Sequence, residues 1–354
     1  MKESLNWGLL SKYRTELLGV AALMIMVFHC QTLINLPVWF LTINEHLNSG
    51  VEIFLLLSGM GLYYSYSKNN NYSHFLKNRV ERTLLPYLLV GLFYWIWRYI
   101  FAEFNILDFI FNASGFSLLI RKTGDLLTIG KSAFWYVSFV LGLYVIYPVI
   151  HNAFNNIIKN KKQKNFVFLV LLSVVLTIFI RFYASETYAS AETWLTRIPA
   201  FLAGCYLGEA IKEKRKFRIY DYILIFVCIP IRVLIALIRP VFDDIILSRY
   251  LGIFIALFVC FAVAFVLELC KCNLLNKILA FFGKMSLELY LTHCMIYTVV
   301  LYYIPDMRIT DAIPVFVKVL SYVLVIAVSV VISFVFSKVF NLLMKKFTAK
   351  KHKD

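Results

Sequence analysis

The chain has 354 residues, of which 61% are hydrophobic and only 16% charged, with a mean hydropathy of +0.76. A soluble domain of this length could not cover so much apolar surface with polar groups. The net charge of +16 invites a nucleic-acid reading, but the basic residues sit in alternate short loops instead of along a groove, so nucleic acid is set aside.

Runs of about 20 apolar residues recur along the chain, each long enough to cross the hydrocarbon layer as a helix. They lack the period-two alternation of barrel strands, so the expected fold is all-α and polytopic. About ten transmembrane helices are expected, near residues 15–35, 49–66, 83–101, 133–151, 165–184, 196–211, 219–239, 249–270, 280–302 and 314–340. The segments Lys2 to Arg14, Lys68 to Arg82, Lys159 to Lys164, Lys212 to Arg218, Lys271 to Lys284 and Lys338 to Lys353 hold 25 of the 36 Lys and Arg. By the excess of positive charge on cytoplasmic loops, both termini lie in the cytoplasm. One transmembrane domain is expected over 1–344, with a basic cytoplasmic tail over 345–354 suited to anionic headgroups. The N-terminus shows no cleavable signal pattern, so its first apolar run should be retained. The long external loop at about 102–132 carries Gly115, Gly124 and Gly130 and could act as a lid or docking surface. Among the seven cysteines only Cys270 and Cys272 form a close pair, without a second pair or a histidine at ligand spacing, so no metal site is expected.

Polar groups at membrane depth are costly and usually face a cavity or a partner. The first is His29, and Arg14 lies fifteen residues before it, toward the cytoplasmic mouth. Fifteen helical steps leave a residual of about 60°, so both point to a similar face, about 22 Å apart along the axis. Chemistry using both needs a long substrate, with its charged end at the cytoplasmic mouth and its reactive end in the membrane. Acyl-coenzyme A has that shape. Arg14 also reads as a plain positive-inside anchor, and His29 as an imidazole satisfied by a backbone carbonyl. Glu52 follows, near the outer start of the second span, at a depth comparable to His29; it could accept the imidazole N–H or complement a helix N-terminus. Arg79 and Arg82 open the third span beside Pro86; they could grip phosphates or act only as topology signals. Arg197, Arg232, Glu209, Glu288 and His293 are expected to face away from lipid, and His293 could meet the same cavity as His29. His46, His74, His151 and His352 carry no particular signal.

Six segments in order resemble the membrane-bound acyltransferase-3 family of bacterial O-acyltransferases. KYRTELLGVAALMIMVFHC resembles its first helix, SGVEIFLLLSGMGLYYS its second, and SHFLKNRVERTLLPYLL the entry to its third. AFWYVSFVLGLYVIYPVI, TRIPAFLAGCYLG and GKMSLELYLTHCMIY are similar to later signatures. The resemblance implies ten core helices in the bacterial cytoplasmic membrane and His29 as the essential histidine. It also implies an acyl-coenzyme A co-substrate, usually acetyl, with no tightly bound cofactor, and a hydroxyl acceptor, often on a glycan or a lipid-linked precursor. Two departures stand out. The family arginine eleven positions before the histidine is Leu18 here, with Arg14 one turn further out, and the glutamate that often follows the fourth-helix Trp is replaced by apolar residues near Val140.

The resulting expectation is an O-acyltransferase in which His29, oriented by Glu52, serves as general base or transient acyl carrier. Arg14, Arg79 and Arg82 hold coenzyme A, while Trp135, Tyr136, Arg197 and His293 line the acceptor side, and membrane depth keeps water from the thioester. The competing readings are a non-enzymatic glycan exporter or flippase on the same helices and a proton-coupled carrier using His29 and Glu52.

Overall fold

A computed structural model describes residues 6–69, 71–101, 106, 110, 134–159, 161–227, 229–231, 245–304 and 313–351; within these, the side chains of 32, 186, 189, 190, 245–248 and 345–351 are outside the description. Arg232, Cys228, His352 and nearly all of the 102–132 loop therefore lie outside the described residues. The remainder is all-α, and the one β pairing among the described residues is an isolated bridge between Asn6 and Lys216.

The helices are α1 (Gly8–Lys12), α2 (Arg14–His29), α3 (Val38–Leu47), α4 (Gly50–Lys68) and α5 (Tyr72–Phe101), followed by α6 (Trp135–Asn156), α7 (Lys162–Tyr183) and α8 (Ser185–Leu195). Then come α9 (Ile198–Lys212), α10 (Ile219–Phe226), α11 (Ile245–Cys270), α12 (Asn273–Lys284), α13 (Ser286–Tyr303) and α14 (Val315–Lys351). Two expected spans are built differently. The run expected over 15–35 leaves the α-helix at His29, passes through a 3-10 turn at Cys30–Thr32 and restarts as α3. Pro37 explains the restart. It lacks an N–H and disfavours helix at Leu36, while its carbonyl accepts from Phe40 and Leu41 to open α3. The run expected over 280–302 is divided between α12 and α13, with a break at Met285.

The chain falls into two compact units, one made of Met1–Ile25, Thr42–Tyr72 and Tyr147–Lys284, the other of Met26–Leu41, Ser73–Ile146 and Met285–Asp354. Glycine sets the first unit's packing. A Cβ on Gly204 of α9 would stand 2.8 Å from the carbonyl carbon of Leu56 in α4, and one on Gly208 would stand 2.7 Å from the carbonyl oxygen of Met60. This four-residue spacing lets two helix backbones touch, the small-residue contact familiar from membrane bundles. The α2–α12 contact uses the same device, with Gly19 against Leu279 and Gly283 against Thr15. The indole of Trp7 donates to the Asp221 carboxylate at 3.1 Å, pinning the N-terminal turn to α10.

In the second unit, α13 and α14 are joined by hydroxyls: Thr292 Oγ1 lies 2.5 Å from Ser333 Oγ and donates to the Ser329 carbonyl at 3.3 Å. Aromatic contacts tie α5 to both, with Phe93 on Phe336 at 5.2 Å and Trp97 on Tyr302 at 5.1 Å between ring centres.

Among the described residues, five helices are long and apolar enough to cross a membrane: α5, α6, α7, Arg249–Cys270 of α11 and Val315–Met344 of α14; the pair α12–α13, taken as one span, makes up to six. Large apolar side chains such as Phe168, Leu171, Val175 and Phe179 on α7 point outward, which suits hydrocarbon and not water. The protein is a multi-pass, all-α membrane protein. Of the other expected spans, α2 and α9 are short, at 16 and 15 residues. The 19-residue α4 is buried along most of its length by other helices, so it needs no long lipid-facing stripe. The expected 219–239 span is described as a helix only through α10.

Candidate active site

The last residue of α2 and the middle of α13 meet in the second unit. On α13, Leu289, His293 and Tyr297 share one face at intervals of four. His293 is buried, and its Nδ1 lies 2.9 Å from the Leu289 carbonyl oxygen. A carbonyl only accepts, so Nδ1 carries the proton and the neutral ring keeps its lone pair on Nε2. That Nε2 is 2.8 Å from His29 Nδ1. His29 must therefore donate from Nδ1, and its own lone pair is on Nε2. One backbone carbonyl thus sets the tautomers of two imidazoles in series. The rings are stacked, with centres 5.1 Å apart.

Aromatic rings enclose the pair. Tyr297 lies 5.3 Å from His29 and 6.2 Å from His293, centre to centre. Tyr290 lies 5.9 Å from His293 and 5.7 Å from Tyr136, and Trp135 stands edge-on to Tyr136 at 6.1 Å. Tyr136 reaches the histidines through Tyr290, with Trp135 one ring further out. The Cys294 sulfur is 3.6 Å from His293 Nε2.

Glu52, expected to receive the His29 N–H, belongs to the first unit and has another partner. Its Oε1 lies 3.1 Å from Arg197 Nε, in a pair where Glu52 is 3% and Arg197 2% exposed. The same guanidinium donates to the Thr193 carbonyl at 2.7 Å and to Asn48 Oδ1 at 3.2 Å. Arg197 is thereby engaged as a structural cation between the end of α8 and the start of α4. A Cβ on Gly252 of α11 would stand 3.1 Å from the Glu52 carboxylate, so a bare backbone is what admits α11 there. His29 takes His293 where the sequence suggested Glu52, and the pairing differs because helices distant in sequence supply both partners.

Arg14 opens α2 and lays its guanidinium over α4, donating from Nε and Nη2 to the Leu57 carbonyl at 3.4 Å, above Gly61. Arg79 is half-buried with its guanidinium over the Phe75 ring, and Arg82 is exposed, both near the start of α5.

A family model described as an acyltransferase domain matches residues 19–338. The chain belongs to this acyltransferase-3 family. No curated protein and no solved structure matches it significantly. The matched range contains His29, Glu52, Arg79, Arg82, Trp135, Tyr136, Arg197 and His293; Arg14 precedes it. The broad activity, acyl transfer by a membrane protein, follows from the family.

Sequence reasoning passed over two features of this acyltransferase. His151, in α6, lies 3.2 Å from Ser67 Oγ and is ringed by Tyr63, Tyr66 and Tyr147 in the first unit. Its aromatic neighbours come from α4 and from one turn earlier in α6, and only the latter was visible locally. Cys294 drew no attention beyond being one of the seven cysteines, although each of the two central histidines is followed directly by a cysteine, as His29-Cys30 and His293-Cys294. That doublet was the available signal.

Proposed function

We propose that this acyltransferase moves an acyl group, acetyl in the first instance, from acyl-coenzyme A to a hydroxyl of a cell-surface glycan or lipid-linked precursor. It would work in the bacterial cytoplasmic membrane through a ten-span fold with both termini inside. His29 is the general base. The observation that carries this reading is the hydrogen-bonded series Leu289 carbonyl, His293, His29, which favours a neutral His29 with its basic nitrogen at Nε2.

In the reaction, His29 Nε2 takes the proton of the acceptor hydroxyl as the oxygen attacks the thioester carbonyl. The tetrahedral intermediate then collapses, the carbon–sulfur bond breaks, and the imidazolium returns the proton to the departing thiolate. His293 is a positioning residue: it holds His29 Nδ1–H and stabilises the imidazolium through its own lone pair. Tyr297 and Tyr290 keep water from the thioester. Arg79 and Arg82 are assigned to the coenzyme A phosphates, as planar multi-donor cations suited to them. Arg14 is assigned to the same end of the substrate, while Glu52 and Arg197 hold helices together.

Mass spectrometry of surface glycans from cells with and without the protein tests this reading, alongside transfer from radiolabelled acetyl-coenzyme A by the purified protein in nanodiscs. The expected result is one acyl increment, lost in His29→Ala. Full transfer by His29→Ala would remove the base assignment, and unchanged glycans would remove the acceptor class.

A further inference from the structure

The histidine pair has a third soft donor beside it. His29, His293 and Cys294 each offer one ligand atom, and these atoms lie within 4.8 Å of one another. Two separations already approach those around a shared metal. With metal–nitrogen bonds of about 2.0 Å and metal–sulfur bonds of about 2.3 Å, donors sit roughly 3.3–3.7 Å apart; the observed values are 2.8 Å between the nitrogens and 3.6 Å from Cys294 Sγ to His293 Nε2. The Nδ1 contact of His293 with the Leu289 carbonyl is the outer support that ligating imidazoles characteristically have, since it directs the Nε2 lone pair inward.

We infer that His29, His293 and Cys294 form a binding site for a soft monovalent metal, Cu(I), whose occupancy shuts off the base function of His29. Charge and donor type single out Cu(I). Thiolate and imidazole suit soft ions, and two neutral imidazoles with one thiolate neutralise a single positive charge. A divalent ion on the same three ligands would leave a net charge in apolar surroundings, which is unfavourable. On binding, the Cys294 S–H bond breaks, its proton leaves to solvent and a sulfur–copper bond forms. The metal replaces the proton shared by the rings, so the His29 proton moves from Nδ1 to Nε2. The lone pair proposed to activate the acceptor is then gone, and transfer stops. The inhibition rests on the proposed role of His29; the binding does not. It departs from the expectation of no metal, which was drawn from the spacing of Cys270 and Cys272.

The test is an anaerobic titration of the full-length protein in detergent with Cu(I), in competition with a chromophoric Cu(I) chelator. One Cu(I) per chain is expected, with affinity reduced about 100-fold or more in Cys294→Ala and unchanged in Cys260→Ala, a buried cysteine of α11. X-ray absorption of the wild-type complex should show one sulfur and two nitrogens, a readout independent of how the variants fold. Absence of stoichiometric binding, equal affinity in Cys294→Ala, an all-nitrogen shell, or displacement of Cu(I) by equimolar Zn(II) would each overturn the site. Activity of the apo protein lost on adding one equivalent of Cu(I) and regained with chelator supports the inhibitory role; a copper-loaded protein that transfers at the apo rate overturns it while leaving the binding result standing.

Discussion

Replacing Gly204 with alanine probes the helix contact on which the first unit is built. A Cβ there would stand 2.8 Å from the Leu56 carbonyl carbon and 2.9 Å from its Cα. These are backbone atoms, as is the Leu56 carbonyl oxygen that the Cβ would meet first, so no rotamer change can move them and α4 and α9 must part by roughly an ångström to reach ordinary contact. Such a gap forfeits about a quarter to a half of each dispersion well, and a buried leucine makes about 40–60 contacts of ~0.1–0.2 kcal/mol. Leu56 and Leu57 on α4 and Leu202 and Leu207 on α9 are all buried, and overpacking of this kind typically costs about 1–3 kcal/mol, occasionally more. Alanine returns about 1 kcal/mol of helix propensity relative to glycine, so a net loss of roughly 1–2 kcal/mol is expected. In thermal unfolding of the detergent-solubilised protein that corresponds to a drop of roughly 1–3 °C. Gly142→Ala is the control, because a Cβ there meets nothing within 4 Å; its midpoint should stay level or rise. A Gly204→Ala protein that melts at or above wild type would refute the close-approach argument.

His293→Phe removes the acceptor of the His29 N–H, and an unsatisfied polar group of this kind costs about 1–3 kcal/mol; kcat should fall roughly 10- to 100-fold with KM for acyl-coenzyme A little changed. His293→Gln restores an acceptor and should recover part of the rate, whereas equal rates in wild type and His293→Phe would dismiss the relay. Glu52→Gln strands the Arg197 guanidinium in a buried site, at about 3–5 kcal/mol. The double change Glu52→Gln with Arg197→Met should be less destabilising than the sum of the singles in a thermal cycle, and simple additivity would show that the pair is not coupled. At the C-terminal end of α9, the Lys162 ammonium lies 2.9 Å from Glu213 and holds that carboxyl below its usual range. Its stabilising contribution is present above the free-glutamate value of about 4.3 and is lost as pH falls through the lower folded value. The melting difference between wild type and Glu213→Gln should accordingly vanish in acid, and a difference that grows on acidification would contradict the assignment.

The membrane class and the all-helical fold were legible in the sequence because hydrocarbon imposes one strong rule, that about 20 apolar residues must close their own hydrogen bonds. The importance of His29 was legible for a related reason: a polar group in an apolar run is expensive enough to announce itself. Partners were not legible. His29 and His293 are 264 positions apart, Glu52 and Arg197 are 145 apart, and nothing local distinguishes the arrangement found from His29 with Glu52. For Glu52, helix packing decided it, through Gly204 and Gly252, whose absent side chains let α9 and α11 lie against α4. The sequence by itself thus determined the solvent the protein lives in and the costly residue at its centre. Tertiary structure alone decided which lone pair His29 presents, because a tautomer depends on the group across the hydrogen bond, and that group arrives on another helix.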